Sequence, residues 1–415
     1  MLSKMNGMSG TPSKDVVFSR SFYNLIALRF FGSFAIVLQS VILGWQMYQF
    51  THDPLNLGLI GLAEAVPALG LALFAGYIVD RMNPKRIVTA VLLVSLASMI
   101  LAWIATSPFE LYAASFLTGF ARSFYSPGFQ ALLPRLVPKS ILKRAVAAGT
   151  SSYKLASIIG PAAGGLLYGF AGKNSAYAVG SSALFLALLA ALAMTYDHTP
   201  FRKSTRTEKS FLAELLAGLK FVFNNRLLLS VLSLDMFAVL FGGIEAMLPI
   251  VASDILHVGP QGLGFLRASA SLGALAMTLW LVRRPISANA GGTLLRVVAG
   301  WGLCILVFAA SRNMVFSCFI LALAGALDSV SMVIRGSIVQ LCSPEGMRGR
   351  IAAVNSIFIG SSNELGEFES GVAARVFGLI PSFYFGGLMT LAVVGAIAKF
   401  VPELREVDLD KLSNT

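Results

Sequence analysis

Residues 144–165, "RAVAAGTSSYKLASIIGPAAGG", and residues 350–371, "RIAAVNSIFIGSSNELGEFESG", align without a gap at an offset of 206. Arg144 falls on Arg350, Gly160 on Gly366 and Gly165 on Gly371. The same offset lays "LTGFARS" (117–123) on "LAGALDS" (323–329) and Gly58 on Gly264. An offset that survives across several segments marks an internal duplication, the pattern of a chain made of two equivalent halves.

The surrounding composition says what kind of halves these are. The chain has 415 residues, 56% hydrophobic and 13% charged, where soluble domains carry roughly 25% charge. Apolar stretches of about 20 residues recur, each long enough to cross a hydrocarbon core about 30 Å thick. The expected fold is therefore all-α and integral to the membrane: twelve transmembrane helices in two pseudo-symmetric six-helix bundles. The spans are expected at 22–49, 57–79, 87–106, 109–133, 145–170, 175–195, 227–250, 262–282, 296–311, 314–340, 351–378 and 381–401. The domains follow: 1–21 an amino-terminal segment, 22–195 the first bundle, 196–226 a linker, 227–401 the second bundle and 402–415 a tail. In the linker, Phe211, Leu212, Leu215, Leu216 and Leu219 are spaced for an amphipathic helix, either lying on the membrane surface or forming an ordinary loop helix.

The net charge of +12 is positional rather than a nucleic-acid footprint. Of the 32 Lys and Arg, six fall inside spans, and Lys173 and Arg312 alone fall in connections on one side. The other 24 lie at the termini and in the loops after even-numbered spans, so both termini are expected in the cytoplasm. No cleavable leader is visible at the start. Cys304, Cys318 and Cys342 are too dispersed for a disulfide framework, and His52, His198 and His257 are equally scattered. No metal site is expected, and Gly172-Lys173 lacks the glycines of a nucleotide-binding loop. No cofactor is implied. A membrane-embedded enzyme needs converging nucleophiles or ligands, and a sensor usually carries an added soluble domain; neither is seen.

The charges inside the spans are Arg29, Arg122, Lys154, Arg267, Arg335 and Arg375, with Asp235, Asp328 and a carboxylate cluster at Glu364, Glu367 and Glu369. Such groups are expensive in a bilayer and normally face a bundle interior or a wet cavity. The offset places Arg29 on Asp235 and Arg122 on Asp328. Two readings follow. Arg29 and Arg122 draw a substrate into a central cavity while Asp235 and Asp328 exchange protons, or the four close the interface between halves as two ion pairs. In the cluster, Glu364 and Glu367 lie about 60° apart on a helix and Arg375 returns to within about 20° of Glu364. They are expected either to pair with Arg375 or with Lys154 on a neighbouring span, or to couple protons, Glu367 foremost. Glu364, Glu369, Arg375 and Lys154 are the structural ion-pair candidates, and Glu64 and Glu245 are weaker coupling candidates.

"GYIVDRMNPKR" (76–86), between the second and third spans, resembles the signature of the major facilitator superfamily. Gly76, Asp80, Arg81, Lys85 and Arg86 match it, and Pro84 stands where glycine is usual. The copy in the second half, "LVRRPISANAGG" (281–292), keeps Arg283 and Arg284 without the aspartate. Within that superfamily, "ALRF" (27–30), "YKLASIIGPAAGGLL" (153–167) and "MRGRIAAVNS" (347–356) resemble the enterobactin-exporter and macrolide-efflux branch. The resemblance implies alternating access, with spans 1, 4, 7 and 10 lining the cavity and the 76–86 loop clamping the cytoplasmic side. It implies a proton-coupled exporter of a small organic molecule in a bacterial inner membrane, a siderophore foremost, with drug efflux or lipid flipping as alternatives. Expected partners are the substrate, protons and the lipid bilayer, with neither nucleic acid nor nucleotide.

Overall fold

The computed structural model describes residues 18–195, 208–286 and 288–413. Twelve membrane-crossing helices appear among them. Spans 1 to 4 are Arg20–Thr51, Pro54–Arg81, Pro84–Ile104 and Pro108–Leu136. The continuous stretch Leu142–Ala193 is two spans, 142–171 and 173–193, because Gly172 at φ 81°, ψ 171° leaves the helical region. Such a backbone suits glycine. The reversal is visible in the partners: Tyr168 near the end of span 5 bonds Gln49, while Tyr177 at the start of span 6 bonds Gln46. Span 7 is Arg226–Ile255, and spans 8 to 12 are Gly259–Arg283, Ala290–Ala310, Met314–Leu341, Arg348–Phe377 and Leu379–Phe400.

Sequence sets the ends. Asp53, Asn83 and Ser107 each precede a proline at the first helical position. Proline has no N–H to orphan there, and the preceding polar side chain supplies a cap. Asp53 accepts from the Leu55 N–H and Asn83 from that of Lys85, while Glu110 accepts from the Ser107 N–H.

Two spans depart from the expected bounds for visible reasons. Span 9 starts at Ala290 rather than 296, because Arg296 is no boundary: its guanidinium bends back to Gly292 O and Thr293 Oγ1 one turn below. A long basic side chain can thus sit one turn inside a helix. Span 7 runs helically only to Gly242, then tightens at Ile244–Met247 and widens into a π-helical turn at Val251–Ile255. Pro249, which has no N–H to donate, lies within this irregular stretch.

The linker helix is Glu208–Asn224; 196–207 lies outside the described residues, as do the side chains of Phe211, Leu212 and Leu215. Val222 is buried with Leu228, Leu232, Val339 and Ile351, so one face docks on spans 7, 10 and 11. Leu216 and Phe223 point outward. This end of the molecule, with Arg20, Arg81, Leu136 and Arg350, is called the linker face. The tail packs there too: Leu404 is fully buried and Gly291 donates to Val407 O.

Candidate functional site

The halves meet along two seams, and the repeated glycines make both. On one seam a Cβ added to Gly371 in span 11 would lie 2.8 Å from the Gly58 Cα in span 2. On the other, a Cβ added to Gly165 in span 5 would overlap the Gly264 backbone in span 8. Gly58 and Gly264 are equivalent by the repeat, as are Gly165 and Gly371. One contact, used twice, therefore joins the halves. Small residues allow this backbone approach, which dispersion then holds.

Both seams lie towards the face opposite the linker. There Gln261 donates to Gly169 O and Arg375 pairs with Asp53. Towards the linker face, Leu69 still reaches to 3.8 Å from a Cβ built at Gly360, but Gly76 and Gly349 stand in open space. The described contacts form a wedge, joined at the opposite face and parting towards the linker.

Arg122 sits midway along span 4, where the wedge narrows. It pairs with Glu64 of span 2 and lies 3.5 Å from Glu364 Oε1 of span 11. The two carboxylate side chains are 12% and 10% exposed, yet 46% of the Arg122 side chain is accessible. A side chain at this depth, held between spans of both halves, exposes that surface to the cleft. One cation therefore serves two carboxylates across the seam.

Arg29 has a different setting. Its guanidinium carbon lies 4.7 Å from the Phe129 ring centroid, 4.8 Å from Tyr153 and 5.3 Å from Tyr125. These are cation–π distances. No carboxylate among the described residues pairs with it.

Asp235, the repeat equivalent of Arg29, pairs with Arg335 inside the second half, both side chains nearly closed to solvent. Asp328 lines a pocket with Asp235, Ser331 and Trp301, between spans 7, 9 and 10. It has no ion-pair partner among the described residues. The expectation that Arg29, Arg122, Asp235 and Asp328 close the interface as two ion pairs is corrected: the aspartates turn into their own half, where Arg335 neutralises one of them.

The carboxylate cluster is corrected as well. Arg375 goes to Asp53 rather than to Glu364 or Glu367, because it lies at the opposite-face end of span 11, level with the start of span 2. Glu364 reaches Arg122 instead. Lys154 is exposed and, like Glu369 and Glu367, has no ion-pair partner among the described residues. Glu367 lies over Gly61, where a Cβ would come within 2.6 Å of its Oε2. Glu245 pairs with Arg267 at 3.0 Å, and Arg267 also holds the Glu245 carbonyl.

Of the 76–86 loop, Arg81 and Arg86 are exposed at the linker face. Lys85 donates to Leu192 O and Met194 O, tying spans 3 and 6 within the first half. The Asp80 side chain lies outside the described residues, and with it the expected clamp on the cytoplasmic side. Sequence reasoning missed Asp53 as a cross-seam partner and Arg335 as the counter-ion of Asp235. A signal existed for the second: Arg335, seven residues or about two turns beyond Asp328, lies on the same helix face as that intramembrane carboxylate.

A family profile described as transmembrane secretion effector matches residues 16–415. The multidrug efflux pump Tap of Mycolicibacterium fortuitum is 25% identical over 88% of the chain and 91% of its own length. The enterobactin exporter EntS of Escherichia coli O81 (strain ED1a) is 27% identical over 80% of each. Among solved structures, a bacterial homologue of the human lysosomal transporter Spinster has a TM-score of 0.72 at 13% identity, covering 92% of this chain and 98% of that one. A mutant of the nucleoside transporter NupG has a TM-score of 0.71 at 14% identity, with 92% and 100% covered. The two structural likenesses show a shared fold.

Proposed function

The chain belongs to the transmembrane secretion effector family of major facilitator transporters, and from that premise we propose that it exports a small organic molecule across a bacterial inner membrane in exchange for protons. The halves rock about the paired glycine seams, exposing the cleft alternately to the linker face and to the opposite face. The excess of Lys and Arg on the linker face makes that face cytoplasmic, with both termini there.

The observation that carries this reading is the Glu64–Arg122–Glu364 bridge. Two buried carboxylates against one guanidinium leave a formal charge of −1 across the seam. A net charge in a low-dielectric contact is unfavourable, and protonating one carboxylate removes it. Glu364 is the coupling residue on these grounds, because it belongs to the half that must move away from Arg122. Glu367, against Gly61 on the same seam, is the second candidate. Asp235 is the weakest, its charge being met by Arg335.

For cargo, relatives named for enterobactin and for multiple drugs leave two classes, and the uncompensated Arg29 favours an anionic one such as a siderophore. Asp328 favours the second reading, drug efflux, since it offers a carboxylate without a counter-ion to a cationic compound.

The test is proton release by purified protein on adding iron-free siderophores or cationic drugs, comparing wild type with Glu364→Gln, Glu367→Gln and Asp328→Asn. The proposal expects one panel to release protons from wild type, and Glu364→Gln to bind the same compound without release. Equal release from all three variants contradicts coupling at these carboxylates.

A further inference from the structure

The environment of Arg29 departs from that of its repeat equivalent, Asp235. The offset that aligns Arg29 with Asp235 also aligns Phe129 with Arg335. In the second half the two positions form a salt bridge. In the first half the same two positions put a guanidinium against a phenyl ring, 4.7 Å from its centroid.

Phe129, Tyr125 and Tyr153 cover the guanidinium and leave its N–H groups unused. Nε and Nη1 are buried with no hydrogen-bond partner among the described residues. Nη2 likewise has no hydrogen-bond partner among the described residues, but it keeps some accessible surface. Aromatic rings attract a cation through their faces, but they accept no in-plane N–H bonds. Burying a charge and its donors without partners is unfavourable, and the second half shows the solution the duplicated fold has used elsewhere. The first half lacks it.

The geometry points to Arg29 as the receptor for the anionic group of the cargo, a planar two-oxygen anion of the carboxylate class on a small aromatic compound. Nη2 is the donor open to such a group, and its N–H bond to an anionic oxygen is charge-assisted. The rings fix the plane of the guanidinium and offer apolar surface beside it. This assignment deepens the transport reading and rests on it for the word cargo, while the site itself can be tested by binding alone.

The probe is radiolabelled benzoate, measured by scintillation proximity on the purified full chain, with benzamide as the neutral isostere competing for the site. Benzoate should saturate wild type and benzamide should fail to compete. Arg29→Ala should weaken benzoate at least tenfold, from the loss of a charge-assisted hydrogen bond, and Arg29→Lys should weaken it less. Phe129→Glu supplies the missing internal counter-ion with the polarity reversed, and should remove binding while leaving the thermal transition in detergent at or above that of wild type. Equal competition by benzamide, or benzoate affinity unchanged in both Arg29→Ala and Phe129→Glu, overturns the assignment. So does binding in wild type that is abolished by phosphatidylglycerol at lipid-like ratios, which makes the occupant a lipid phosphate. Benzoate binding with no transport of any compound leaves the anion site standing and removes the transport reading.

Discussion

Substituting Gly371 by alanine tests the seam between spans 2 and 11 where their backbones meet. A Cβ there lies 2.8 Å from the Gly58 Cα and 2.9 Å from Pro54 O, against ordinary contacts of about 3.5–4.0 Å. Neither neighbour is the flexible end of a side chain, so the helices must part by roughly 0.7 Å or more. Overpacking of this kind costs about 1–3 kcal/mol. The cost falls on the state joined at the opposite face and not on the state in which that seam has opened. The equilibrium should therefore move towards the opposite-open state by roughly 5- to 150-fold. Gly165→Ala acts on the equivalent contact of the other seam, and the two should add because they share no partners. Spin labels at Phe109→Cys and Val315→Cys report the change. Both positions are 78% exposed and start spans 4 and 10 on the opposite face, in a background with Cys304, Cys318 and Cys342 replaced. Double electron–electron resonance should show a longer-distance population growing from wild type to Gly371→Ala to the double variant. An unchanged distribution in folded protein means that these glycines do not hold one state against the other.

Other perturbations test what single ion pairs, a cap and a turn contribute to the fold. Arg335→Leu strands Asp235 in the second half and should destabilise by about 3–5 kcal/mol, while Asp235→Leu with Arg335→Leu recovers much of the loss, read as thermal transitions in detergent. Arg375→Ala breaks an ion pair whose Arg375 side chain is about half exposed and should cost under about 1 kcal/mol in the same measurement. Asp53→Ala should cost more than Arg375→Ala, because it also removes the cap on span 2, and Asp53→Asn should keep the cap. Gly172→Ala forces a side chain into the turn between spans 5 and 6 and should lower stability by about 1–3 kcal/mol, where Gly70→Ala, with nothing near its Cβ, should be neutral.

The two-half fold was legible because hydrophobic length and duplication are properties of a single chain. The glycine positions carried more than expected. Gly58, Gly165, Gly264 and Gly371 signalled a repeat in sequence, and in space they meet each other. The charges were legible as residues that matter but not as pairs. Which helix faces Glu364 is fixed by the tilt of one bundle against the other, and no local period encodes that tilt. The misassigned Arg375 shows the limit plainly: its angular position on span 11 matched Glu364, but its depth matched Asp53. Asp235 and Asp328 were placed at the centre by symmetry alone, and symmetry fixes equivalence between halves rather than which way each half turns its side chains.

Export driven by protons through a cleft gated at the Arg122 bridge can be put to trial in a single preparation. Proteoliposomes with an acidic lumen are given a panel of iron-free siderophores on the outside, and uptake into the lumen is followed with and without the gradient. A compound should accumulate inside only while the gradient lasts, and accumulation should be lost in Glu364→Gln protein that still binds that compound. Accumulation that is indifferent to the gradient, or undiminished in Glu364→Gln, contradicts proton-driven export through this bridge.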